Sequence, residues 1–125
     1  MDSLFSILVG AAALPLLVLG LRAMFAPRSM QAPFAVSVHG AAGLNTIRSV
    51  AGGLFFACVS LLGWSLVQGD ASGVFAVAAV MICVAAGRVV GIVFDGFDKA
   101  VLPPLVVEVI LAVVLLFAAG THAGA

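Results

Sequence analysis

An all-α integral membrane protein is the fold class this sequence predicts: four transmembrane helices in an up-down bundle, with short loops except the first. Three observations predict it. Of the 125 residues, 65% are hydrophobic and only 8% are charged. The mean hydropathy is +1.37, whereas in a soluble domain about a quarter of residues carry charge. The apolar residues fall into four runs, each near the ~20 residues needed to cross the hydrocarbon core. Proline-rich or polar stretches separate those runs and supply turn chemistry between them. The spans are expected at about 4–24, 43–66, 74–95 and 103–119, within one domain of residues 1–125.

The first run, Leu4 to Leu21, ends at Arg22. It differs from a signal peptide in carrying Asp2 and no basic residue ahead of it, and in being long enough to span. Pro15 lies inside it; a membrane bundle tolerates such a proline when neighbours satisfy the freed carbonyl. Residues 25–42 contain Pro27 and Pro33. They read as a loop at the interface, with Met30 and Phe34 dipping into the headgroup region. The second helix carries Asn45, Arg48 and Gly52 at spacings of three and four, which puts them on one face. Gly53, Ser60 and Gly63 add small residues for close approach, and Trp64 suits the opposite interface. The turn 68–73 is short and polar, so the second and third helices should be antiparallel neighbours. Pro103 and Pro104 stand where a first helical turn accepts proline, and GTHAGA reads as a tail.

The third run places Arg88 in apolar surroundings, in the stretch GRVVGIVFD from Gly87 to Asp95. An intramembrane arginine is costly and calls for a partner. At a rise of about 1.5 Å per residue, Arg48, Arg88 and Glu108 come to similar depth in one leaflet. Asp95 is then about 10 Å nearer the surface, and Asn45 lies between. A cluster of Asn45, Arg48, Arg88, Asp95 and Glu108 is therefore expected, as an ionic lock or as a polar cavity for an anion, headgroup or proton. Gly87 and Gly91 form a GxxxG pattern. Together with Gly52 and Gly53 they read as helix-packing positions, within the chain or between copies.

Arg22, Arg28 and Lys99 lie on the face of the first and third loops, against Asp2 and Asp70 on the other. By the positive-inside rule those two loops are cytoplasmic and both termini periplasmic. Equal numbers of basic and acidic side chains, 5 and 5, exclude a basic nucleic-acid surface. Cys58 and Cys83 sit mid-run without ligand spacing and read as packing residues. His39 and His122 read as interfacial residues, and no metal or cofactor is expected.

The chain resembles a bacterial domain-of-unknown-function family, number 4345 in that series, of small proteins with four predicted membrane helices. The residues that carry the resemblance are Asn45-Thr46-Ile47-Arg48 followed by Gly52-Gly53-Leu54, then Gly87-Arg88 with Asp95-Gly96, and Glu108. It covers nearly the whole chain from Asn45 onward, while the first helix matches only in being apolar, and it implies a bacterial inner-membrane location. No activity, substrate or cofactor comes with it.

Three function classes remain. The first is a non-catalytic membrane module, an oligomer or accessory subunit of a larger membrane complex, built around the charged cluster. The alternative is a transporter or binding protein for a small anionic or lipid-like ligand. A membrane enzyme on a lipid-like substrate is the second alternative, against which stands the lack of any nucleophile–base set or dinucleotide fingerprint.

Overall fold

The computed structural model describes residues 3–123 and is helical, with no strand among the described residues. Four long helices organise it: α1 (Ser3–Phe25), α2 (Gly40–Gln68), α3 (Ser72–Asp95) and α4 (Leu102–Ala123). All four are long and apolar enough to cross a membrane. They exceed the expected spans, chiefly at the start of α2 and the end of α4. Residues 120–123, read as tail, belong to α4. Asp2 lies outside the described residues.

The helices bury narrow stripes. Phe5, Val9, Ala12 and Leu16 follow one face of α1; Val74, Val77, Ala78 and Met81 follow one face of α3; Leu111, Ala112, Leu115, Ala118 and Ala119 follow one face of α4. These are helical spacings of three and four. The remaining surface is apolar too: Phe94 is 81% exposed and Val67 80%. In water such a surface would drive association; around a membrane span it is ordinary.

The chain divides into two compact units, Ala13–Ser60 and Met1–Ala12 with Leu61–Ala125. In Ala13–Ser60, α1 and α2 run antiparallel and close. A Cβ placed on Gly20 would lie 3.2 Å from the Phe55 Cβ, and one on Gly52 would lie 3.2 Å from the Met24 backbone nitrogen. The connection between them is folded rather than draped. A 3₁₀ turn, Pro27–Met30, leads into a one-turn helix, Gln31–Phe34. The Gln31 side chain then accepts the Val38 amide at 3.2 Å. Met30, expected at the headgroups, is fully buried and forms a small core with Ala23 and Ile47, against which Leu19, Phe34, Val38, Ala51 and Phe55 pack. The reason is the reversal at Ala35, in the left-handed conformation with φ 54° and ψ 42°, which turns the loop back on itself. A non-glycine residue there costs on the order of 1 kcal/mol. Ala35→Gly should raise the unfolding free energy in detergent by about 0.5–1 kcal/mol; an unchanged or lower value would mean the reversal is not strained.

In the other unit, α2 returns into α3 through a tight turn. Gly69 (φ +72°) ends α2, and the Gly69 and Asp70 amides both donate to the Ser65 carbonyl, at 2.9 and 3.3 Å. The start of α3 is capped from two directions. Asp70 Oδ1 accepts from the Ser72 hydroxyl at 2.6 Å and the Ser72 amide at 3.0 Å. From the preceding helix, Ser65 Oγ accepts the buried Val74 amide at 3.1 Å. Early helical amides have no partner within their own helix, so such acceptors stabilise it. The hydrogen bonds from Ser72 hold the Asp70 carboxyl below its ordinary range. Its capping contribution is therefore complete above the usual aspartate value, near 4, and is lost as pH falls through the lowered folded value.

Candidate functional site

The turn between α3 and α4 decides which charges meet. Gly96 (φ +95°) stops α3, its amide donating to Ile92 at 3.1 Å. Asp98 then accepts the Ala100 amide at 2.8 Å to start the 3₁₀ turn Lys99–Val101 that leads into α4. With so short a connection, α3 and α4 pack antiparallel. Arg88 and Glu108, each about two turns from the shared end, face one another. Arg88 Nε donates to both carboxylate oxygens of Glu108, at 2.7 and 2.8 Å. The Glu108 side chain is 12% exposed and that of Arg88 29%. The two Nη groups of Arg88 have no hydrogen-bond partner among the described residues. The arrangement straddles one N–H rather than forming a parallel two-bond fork.

The expected five-residue cluster does not form around this pair. Arg48 donates through Nη1 to the Met24 carbonyl at the end of α1, so a helix C-terminus answers its charge. A local distortion of α2 accompanies this contact. Residues Ile47–Gly52 form a π-helix, in which the wider turn changes the register that a spacing of three and four assumes. Both Arg48 and Gly52 nevertheless meet Met24. Asn45 is outward-facing and its carbonyl accepts the Ser49 hydroxyl at 2.8 Å. Asp95 is outward-facing, with no hydrogen bond or ion pair among the described residues. Depth along a helix was legible in the sequence, but azimuth around it was not.

The packing glycines divide in the same way. Gly52 approaches the Met24 backbone, but a Cβ on Gly53 or Gly87 would meet nothing within 4 Å, and one on Gly91 only the Asp95 carboxylate at 4.0 Å. The close approaches that sequence reasoning passed over are at Gly20, Gly43 and Gly73. A Cβ on Gly73 would collide with the Leu61 carbonyl oxygen and lie 2.7 Å from Ser65 Oγ.

His122, expected in a tail, is inside α4 and lies against Phe5, with ring centroids 4.5 Å apart. Its Nδ1 is buried without a hydrogen-bond partner among the described residues. No group of three or more His, Cys, Asp or Glu side chains among the described residues is placed to hold a metal ion. Chemically, the Arg88–Glu108 pair neutralises and orients.

A family model described as Domain of unknown function (DUF4345) matches residues 4–119, nearly the whole described chain. The chain belongs to the DUF4345 family. The match takes in α1 as well as the stretch from Asn45 onward, and with it every residue of the Arg88–Glu108 site. No curated protein and no solved structure matches this DUF4345 chain.

Proposed function

We propose that this DUF4345 protein is a multi-pass protein of the bacterial inner membrane acting as a non-catalytic module, an oligomer or an accessory subunit of a larger membrane complex. The observation that carries the reading is the Arg88–Glu108 pair between two helices whose other faces are apolar. Intramembrane charges that pair with each other and face inward hold helices in register. This pair uses up the only carboxylate found within the apolar part of α3 and α4. The spans cross in alternating directions, with both termini periplasmic and the loops bearing Arg22, Arg28 and Lys99 cytoplasmic. The outward glycines Gly87 and Gly91 favour contact with another chain, since no side chain of their own covers Gly87.

Alkaline extraction of the membrane fraction, followed by mass measurement of the detergent-purified chain, tests both parts. Retention in the membrane and a mass of two or more copies, or a co-purifying membrane subunit, is the expected result. Release by alkali refutes the membrane reading. A retained chain that is monomeric and without a partner refutes the module reading.

A further inference from the structure

The charges are segregated in a way that net neutrality conceals. The unit Ala13–Ser60 contains Arg22, Arg28 and Arg48 and no Asp or Glu, while the rest of the chain has two cations against five carboxylates, a net charge of −3. Among the described residues the one ion pair is Arg88–Glu108, so none of these three arginines has a carboxylate partner. Two of them are tied to backbone. Arg22 Nη2 donates to the Ser29 carbonyl at 3.0 Å, and Arg48 Nη1 to that of Met24. Arg28 donates to nothing described, and it neighbours Ser29 in the chain. Two guanidiniums are therefore held on the segment 22–29, to which Arg28 itself belongs. All three arginines also flank one core: Arg22 adjoins Ala23, Arg28 is two residues from Met30, and Arg48 adjoins Ile47. Each guanidinium has five N–H donors, of which the protein uses one or none.

Beside this core the chain leaves an open groove of about 550 Å³, whose mostly apolar lining includes Phe34, Val36, Val38, Ile47 and Val50 together with His39. That volume is within the range of small-molecule sites, and its lining is apolar. A purely topological role would require the arginines only to reach water on the cytoplasmic side. Instead two are held in place by hydrogen bonds, and the groove shares Phe34, Val38 and Ile47 with the core they flank.

We propose that this unit seats an anionic phospholipid. Arg22, Arg28 and Arg48 take the phosphate-bearing headgroup, and the apolar groove takes the first part of an acyl chain. Three cations with no carboxylate partner among the described residues provide the complementarity, and the apolar groove beside the core they flank distinguishes a lipid from a free anion. The proposal rests on the membrane reading above.

The test uses the full chain in neutral detergent, titrated with dioleoylphosphatidylglycerol, dioleoylphosphatidylcholine or inorganic phosphate, with the thermal midpoint as readout. Phosphatidylglycerol should bind about a hundredfold more tightly than phosphatidylcholine, as three cations near an anionic lipid imply. Arg28→Gln, which loses no hydrogen bond, should leave the lipid-free midpoint in place and weaken phosphatidylglycerol about fivefold. Val50→Trp, which fills the groove without altering charge, should weaken it too, and Lys99→Gln should not. Equal binding of the two lipids, an equal response to inorganic phosphate, or an equal loss in Lys99→Gln would each overturn the proposal, as would an unaffected Val50→Trp. If alkali releases the chain from membranes, the membrane reading fails. If the chain is retained and shows no lipid preference, only the seat fails.

Discussion

Methionine at Glu108 should lower the stability of the protein in detergent by about 3–5 kcal/mol, because it leaves the Arg88 guanidinium between α3 and α4 without its counter-charge. Methionine at Arg88 should cost a similar amount, for the complementary reason. The double change Arg88→Met with Glu108→Met should be close to neutral, since an apolar pair of similar volume escapes the desolvation that the ions incur. The interaction energy of the cycle, the difference between the double change and the sum of the singles, is then about 6 kcal/mol or more in magnitude. Equilibrium unfolding in mixed micelles measures each corner. Singles within 0.5 kcal/mol of the parent would show that the charges are solvated, and would remove the support that this pair lends to the module reading.

Alanine at Gly73 should be the most damaging single-carbon change in the chain. Gly73 is buried where α2 turns into α3, and the added Cβ would overlap the Leu61 carbonyl and press on Ser65 Oγ. Neither neighbour can give way cheaply. The first is helix backbone, and the second is the acceptor that caps the Val74 amide. Overpacking of this kind costs about 1–3 kcal/mol and more when backbone must move, and displacing Ser65 adds about 1–3 kcal/mol for an orphaned buried amide. Loss of the folded state, or a drop above about 3 kcal/mol, is the expected result. Gly87→Ala is the control, because its Cβ meets nothing within 4 Å. There the replacement should be neutral or stabilising by up to about 1 kcal/mol in the single chain. A Gly73→Ala protein as stable as Gly87→Ala would show that α2 and α3 are not in contact at this turn.

The sequence by itself determined that the chain is all-helical and has four helices long and apolar enough to cross a membrane, because apolar length and the polar breaks between runs are properties of the chain read in one dimension. It also determined that Arg88 needed a partner and that Glu108 stood at matching depth. A short turn makes residues equidistant from it into neighbours, and the pair forms accordingly. What only the tertiary structure decided was direction around each helix. Asp95 was expected in the cluster and points outward; Arg48 was expected there and donates to a helix end; Gly87 and Gly91 were read as helix contacts, yet Gly87 faces open space and Gly91 approaches only the Asp95 carboxylate of its own helix. A π-helical segment at Ile47–Gly52 and a left-handed residue at Ala35 alter rotation and chain path, and neither is encoded by hydropathy. Helices as apolar as these weaken such inference further, since apolar residues occupy every face and hydropathy does not mark the buried side. Depth is set by counting residues, whereas azimuth is set by which neighbours a helix meets.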